Sequence, residues 1–368
     1  MAMYIFIGII ALIIYGLLVY YIGRSVWSWM GPGKSALFKT LYIIVLTVVS
    51  TSFISGRFLG NLTVLNVIGA YWMAVFYVLI LVLPLLHLTM WVLRRTKLRR
   101  DGAGKRAGLL VLVLLLLLIG LGTFNAYSPT VRAYSVNIAK DAGAMDELNI
   151  VMASDMHFGL LSGKGHAKRM VEEINALKPD LVLFPGDMID DDLDAYLGQG
   201  IDGILSGIRS TYGVYASLGN HDRFEGDIKE LIEALERSGM TVLYDEAAAV
   251  EDLMIAGRRD KQDTERAPLS EILKEADKTR PILLLDHQPN ALDEAKEQGV
   301  DLVVSGHTHR GQVFPAHLIT GALFENDWGY LKKGQMHSIV SSGYGFWGPP
   351  IRLGSRSEIV QIHVAFQP

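Results

Sequence analysis

Hydrophobic positions along this chain fall into two regimes. Through the first 127 residues they run almost unbroken, in stretches at Met3–Ile22, Leu37–Phe53, Val67–Leu93 and Ala107–Phe124. Each approaches or exceeds the ~20 residues that a helix needs to cross a hydrocarbon core. The segment LLVLVLLLLLIGLG (109–122) carries no polar side chain. Beyond Ser128-Pro129 the apolar runs shorten to strand length. Tyr134, Val136 and Ile138 alternate with polar neighbours, as in a half-buried strand. Buried strands are predicted at 148–154, 180–187, 213–218, 241–244, 253–256, 282–285 and 301–305, and the segments HSIVSSG and EIVQIHVAF are again β-like. Helical spacing predicts helices over His166–Leu177, stopped at Lys178-Pro179, over Ile228–Arg237 and over 291–298. Residues 258–280 are polar and read as a surface excursion with one short helix. The apolar segment FPAHLITGALF (314–324), which holds His317, is ambiguous between core and a cap leaning on a bilayer, and core is favoured.

Alternating strands and helices followed by more strands predict an α/β fold class with a mixed sheet or two sheets. The chain divides into a four-span transmembrane anchor (1–127), a linker and first strand (128–147) and a catalytic domain (148–368). A cleavable signal peptide is a poor account of the first stretch, which lacks a basic start and is followed by three further spans.

Charge sharpens this division. Residues 1–127 hold eleven Lys/Arg and one acid, a net of +10, and the remainder holds 23 bases and 37 acids, a net of −14. Arg94, Arg95, Lys97, Arg99, Arg100, Lys105 and Arg106 crowd the loop between spans three and four. Arg24, Lys34 and Lys39 mark the first loop, while the second has only Arg57. The positive-inside rule places the first and third loops in the cytoplasm, so the catalytic domain is expected outside it. The acidic domain disfavours a nucleic-acid partner. The absence of cysteine excludes disulfides and thiolate metal sites. His87, inside the third span, is either a functional group or one satisfied by a polar neighbour.

The chemistry-bearing residues all follow apolar strands: Asp155-Met156-His157, Gly186-Asp187-Met188-Ile189-Asp190, Gly219-Asn220-His221-Asp222, Asp286-His287 and Gly306-His307-Thr308-His309. Strand ends of an α/β sheet converge on one edge, where ligand sites form. Carboxylate, amide oxygen and imidazole without sulfur suit divalent Mn, Fe or Zn. One acid shared by two cations, Asp187, offsets their repulsion at a separation of about 3.5–4 Å, and such a pair binds water or hydroxide and clamps a phosphoryl group.

These motifs resemble the calcineurin-like metallophosphoesterase family, in a membrane-attached bacterial branch, over residues 148–368. The resemblance implies a two-sheet αββα sandwich around two divalent metal ions. One ion would be held by Asp155, His157, Asp187 and His309, the other by Asp187, Asn220, His287 and His307. It also implies that His221 is no ligand but a catalytic group that stabilises charge or protonates the leaving oxygen, with Asp222 orienting its ring. Arg310 departs from the glycine of many relatives, and either contacts phosphate or fills space.

Other polar residues have plainer readings. Asp190, Asp191, Asp192 and Asp194 read as a solvated acidic loop, His166 and His337 as surface or loop residues, and His363 as a strand residue. YGFWGPP (344–350) reads as a rigid aromatic loop at the site's rim. The expected function is a membrane-anchored phosphoesterase that uses metal-bound hydroxide, with a phosphorylated small molecule or lipid as substrate and membrane lipids as partners. The alternative is a membrane sensor or transporter with a regulatory metal-binding domain, and the sparse charge within the spans disfavours it. Neither substrate identity nor oligomeric state is written in these motifs.

Overall fold

The computed structural model describes residues 2–31, 33–58, 62–95, 103–190, 192–222 and 228–367, except for the side chains of residues 2, 4, 57, 58, 94 and 103. Lys97, Arg99, Arg100 and Asp191, together with the side chains of Arg57 and Arg94, therefore lie outside it. The chain forms two compact units: Met1–Gly122 with Gly348–Pro350, and Thr123–Trp347 with Ile351–Pro368.

The first unit is built from helices α1 (Ala2–Trp29), α2 (Ala36–Phe58), α3 (Thr63–Arg94) and most of α4 (Ala103–Tyr127). All four are long and apolar enough to cross a membrane. Without a hydrophobic drive between helices in lipid, small residues and buried hydrogen bonds hold such elements together. At Gly69 a Cβ would lie 2.4 Å from Phe53 Cα, so α2 and α3 touch backbone to backbone. Trp72 Nε1 donates to the Tyr15 hydroxyl at 2.7 Å, and that hydroxyl donates to the Ser50 carbonyl. His87 has a polar neighbour, with its Nδ1 2.7 Å from the Tyr21 hydroxyl.

The second unit is a two-sheet sandwich. In chain order it runs β1 (Thr130–Ile138), β2 (Glu147–Met152), α5 (Lys164–Ala176), β3 (Leu181–Pro185), α6 (Leu193–Gly198), α7 (Ile201–Leu205), β4 (Val214–Ser217), α8 (Ile228–Arg237) and β5 (Met240–Val242). There follow β6 (Glu246–Val250), β7 (Leu253–Gly257), α9 (Leu269–Ile272), β8 (Ile282–Leu285), α10 (Leu292–Glu297), β9 (Leu302–Ser305), α11 (His317–Leu323), β10 (Gly329–Lys333), β11 (Met336–Val340) and β12 (Glu358–Phe366). One sheet has the order β1-β12-β2-β3-β4-β5, the other β10-β11-β9-β8-β7-β6. β2 to β5 are parallel neighbours, as are β7, β8, β9 and β11.

Three apolar layers follow from the strand patterns. Ile150, Met152, Leu181 and Leu183 of one sheet meet Ile255, Leu283, Leu285 and Val304 of the other. Val151, Val182 and Phe184 face the opposite way, against Met170, Ile174, Leu231 and Leu235 of α5 and α8. Leu284 and Val303 pack on Leu269, Leu292 and Ala295 of α9 and α10. Strands buried on both faces read as continuous apolar runs, which is why they stood out in the sequence. The architecture is the expected αββα sandwich.

Several expectations change. α11 buries none of its residues, so the core reading of 314–324 is overturned. His166 is buried on α5, its ring centroid 4.3 Å from that of Tyr344, and His337 is buried on β11, hydrogen-bonded to the Asn137 carbonyl. Neither is the surface residue expected. His363 does lie in a strand.

Candidate metal centre

Tight turns carry the parallel strands out of the sheets at one edge, and these turns hold the chemistry. Asp155, His157, Asp187, His307 and His309 all adopt left-handed backbone, with φ of 51°, 44°, 54°, 72° and 48°. Each such non-glycine residue costs on the order of 1–3 kcal/mol, and this strain concentrates where function needs it. Neighbouring glycines let the turns close. A Cβ on Gly219 would lie 2.1 Å from Asp187 Oδ1, and one on Gly306 would lie 2.2 Å from Asp155 Oδ2.

The turns gather three groups of side chains whose ligand atoms lie within 4.8 Å of one another: Asp155, His157 and His309; His157, Asp187 and His221; and Asp187, His287 and His307. Asp187 belongs to two of them, on a side chain 1% exposed. Asn220 precedes His221, whose backbone N–H donates to Asp187 Oδ1 at 2.9 Å. All seven expected ligand residues are thus on these turns.

The donor atoms are short of partners. Asn220 Oδ1, His157 Nδ1 and His287 Nε2 are buried without a hydrogen bond. His287 Nδ1 lies 2.9 Å from the Pro185 carbonyl, an acceptor, so this nitrogen carries the proton of the neutral ring. The lone pair on Nε2 then faces Asp187 Oδ2 at 3.0 Å, within ion-pair range but off hydrogen-bond alignment. His157 Nε2 and His309 Nε2 face each other at 3.1 Å. Lone pairs converging in a dry pocket repel unless a proton or cation lies between them. The residues present therefore fit a pair of divalent ions.

Electrostatics separate the imidazoles: His287 favours a second proton that an ion would displace, while His309 and His307 favour the neutral form. Burial opposes charge on His287, yet the Asp187 carboxylate outweighs it and pushes the imidazolium up to about 10. Burial holds His309 well below 6.5, with His157 adding to the effect, and also lowers His307. Neutral imidazoles are the form that metals bind.

Supporting contacts fix these groups. Ser154 Oγ and the His307 N–H donate to the two oxygens of Asp155. Asp222 accepts from the backbone N–H groups of Met188, Ile189 and Gly219 at 2.8, 3.0 and 2.8 Å, so its carboxylate ties two ligand turns together. Orientation of the His221 ring, the role foreseen for it, is not what these three bonds do. Burial raises the pKa of Asp222 to about 7, and the charge of Asp187 adds to the rise. The His221 ring centroid lies 4.9 Å from that of His157 and 5.8 Å from that of Trp347.

The family profile described as Calcineurin-like phosphoesterase matches residues 148–311. An uncharacterized metallophosphoesterase of Helicobacter pylori strain J99 is 34% identical over 226 residues, 59% of this chain and 60% of its own. A metallophosphoesterase of Campylobacter jejuni is 32% identical over 273 residues, covering 69% of this chain and 68% of the relative. This chain belongs to the calcineurin-like metallophosphoesterase family. A transmembrane protein with metallophosphoesterase domain from Danio rerio is 30% identical over 279 residues, 70% of this chain and 62% of its own. The chain spans about 60% of the length of the two Helicobacter pylori relatives. With its four spans, this metallophosphoesterase is a membrane protein. The family works with a dinuclear metal centre.

Three residues of this metallophosphoesterase escaped the sequence reading. Asp190 Oδ1 stands 3.5 Å from His157 Nδ1, so one residue of the acidic loop faces a ligand. Its place three residues after Asp187 was the available signal. Arg352, fully buried, donates to the carbonyls of His309 and Gly345, and its Nη2 lies 3.2 Å from His309 Nδ1. Nothing local in the sequence marks it, because it arrives from the loop before β12. Ser154 was hidden in the strand pattern. The Arg310 guanidinium lies 3.7 Å from the centre of the Trp328 ring, a cation–π contact beside the turn.

Proposed function

We propose that this metallophosphoesterase hydrolyses a phosphate ester or pyrophosphate bond of a cell-envelope or lipid-linked substrate on the extracytoplasmic side of its membrane. The observation that carries the reading is the gathering of Asp155, His157, Asp187, His287, His307 and His309 in overlapping groups around one shared carboxylate, with Asn220 Oδ1 and His287 Nε2 buried there without a hydrogen bond. Asp155, His157, Asp187 and His309 would hold one ion, and Asp187, Asn220, His287 and His307 the other. Such ions supply Lewis acidity that activates water for in-line attack and neutralises the phosphoryl oxygens. Asp187 keeps both ion positions close together. His221, half-buried beside the shared carboxylate, holds a proton for the departing oxygen. Asp222 fixes the turn that carries it. The basic first and third loops support the outward side. A membrane-borne substrate is the reading favoured by covalent tethering to the spans, since only Ser128 and Pro129 separate α4 from β1.

The test couples metal analysis of the purified full chain with a panel of soluble and lipid phosphate esters. The wild type is expected to carry two divalent ions per chain and to hydrolyse at least one member of the panel. Asp187→Asn is expected to lose metal and at least about 100-fold of the rate, because substitutions around metal ligands typically cost 10–100-fold and this one alters a shared ligand. Full activity in Asp187→Asn, or ready cleavage of soluble diesters with no phosphorylated lipid accepted, would overturn the site or the substrate class respectively.

A further inference from the structure

The described residues after Tyr127 expose eight large apolar side chains. Four of them lie between Phe314 and Leu323, and a fifth is Trp347. Phe314 is 59% exposed, Leu318 64%, Ile319 63% and Leu323 71%. From Val313 to Phe324 there is no Asp, Glu, Lys or Arg. Single exposed apolar residues are ordinary, but a concentrated patch on an otherwise acidic domain marks a surface that meets something apolar.

The patch is fastened to the ligand turn. The Phe324 ring packs on that of His307, with centroids 5.9 Å apart. Thr308 Oγ1 and Thr320 Oγ1 both donate to Asp327, one to its carbonyl and the other to its carboxylate. Gln312 brackets Trp347, donating to its carbonyl and accepting from its N–H, each at 2.9 Å. The Trp347 ring in turn neighbours His221. An apolar rim therefore borders the metal ligands.

Within the second unit, the rim also adjoins the last residues of α4. Tyr127, the last residue of α4, packs edge-on against Phe346, beside Trp347, with ring centroids 5.0 Å apart. Ser357 Oγ donates to the Ala126 carbonyl, Asn125 Nδ2 to the Arg352 carbonyl and Arg356 Nε to the Ser128 carbonyl. The final turn of α4 is thus bonded into the same loops that carry the rim. Trp and Tyr belong at the level of lipid headgroups, and apolar side chains exposed on a helix gain from burial at the headgroup–acyl boundary.

We propose that the segment Val313–Phe324, with Trp347, is a bilayer-docking edge that seats the mouth of the metal site in the headgroup layer of the membrane spanned by the chain's own helices. The occupant is lipid. A phosphorylated headgroup would then meet the ligands without leaving the leaflet, a consequence that rests on the membrane-borne substrate proposed above.

The chain has no cysteine, so single substitutions give unique labelling sites. Leu318→Cys and Leu323→Cys replace exposed side chains, and Glu275→Cys, on a surface turn, serves as the aqueous reference. Each full-length variant is spin-labelled in nanodiscs of phosphatidylethanolamine and phosphatidylglycerol, and its collision rates with oxygen and with a water-soluble nickel chelate are compared. The two α11 labels are expected to favour oxygen severalfold over the reference label. Equal, water-like ratios at all three positions would overturn the proposal. So would dipolar broadening at Leu318→Cys that disappears on dilution with unlabelled chain, because the occupant would then be a second copy. The readout is independent of hydrolysis. Lipid-buried labels without turnover of any phosphorylated lipid would sustain the docking edge and remove the substrate reading.

Discussion

His287 shows how single residues set the behaviour of the site. Its Nδ1 is committed to the Pro185 carbonyl and its Nε2 faces Asp187, so without a cation the ring holds a second proton up to about pH 10. The unfolded chain releases that proton near its ordinary value of about 6.5. A raised histidine pKa stabilises the fold fully below the unfolded value, and the stabilisation is lost as pH climbs through the folded one. Metal-stripped protein is therefore expected to lose thermal stability between about pH 6.5 and pH 10. Bound manganese, occupying the place of the proton, should flatten this dependence. Melting curves across that range, with chelator and with manganese, check the sign, and His287→Gln should abolish the slope. Among residues, the candidate ligands were legible because each lies just beyond an apolar strand, and Asp187, Asn220 and His307 also follow a glycine directly. Arg352 was not, since its role depends on a loop from the far end of the domain folding back onto His309.

At the scale of elements, the turns depend on missing side chains as much as on present ones. The Cβ of Gly219→Ala would fall 2.1 Å from Asp187 Oδ1 and 2.6 Å from the Asp187 nitrogen, so the shared carboxylate must move. A loss of about 1–3 kcal/mol in stability is expected from such overpacking, together with reduced metal content. Chemical denaturation and elemental analysis measure the two effects separately. The buried strands β3, β8 and β9 and the amphipathic α8 were readable within a residue or two, because burial on both faces or on one stripe leaves a clear periodicity. β6 was not, since Glu246–Val250 reads EAAAV, a composition that favours helix, and only pairing with β7 makes it a strand. The short α6 and α7 were lost among glycines. α11 was misread because hydrophobicity alone cannot tell a core from a surface that meets lipid.

For the whole molecule, charge asymmetry and span count together predict sidedness. A periplasm-dependent reporter enzyme fused after Phe124 is expected to be active only outside the cytoplasm, and a cytoplasm-dependent one to be silent there. The reverse pattern would invert the orientation taken from the loops. Four long apolar helices ahead of a two-sheet domain were plain from the sequence, since unbroken apolar runs and short alternating ones have different lengths. The sheet order was hidden, because no local signal tells β1 that its partner is β12.

That pairing has a temporal meaning. β12 separates β1 from β2 in the finished sheet, yet it begins 220 residues after β1 ends (358 − 138). At synthesis rates of about 5–20 residues per second, β1 and the rim of β2 stand open for roughly 10–40 s before their shared neighbour exists. During that interval the nascent chain presents two sticky borders, and a stop before Glu358 would leave them open for good. Closure of the sandwich is therefore also a check that the strand spanning Glu358–Phe366 has been made and delivered.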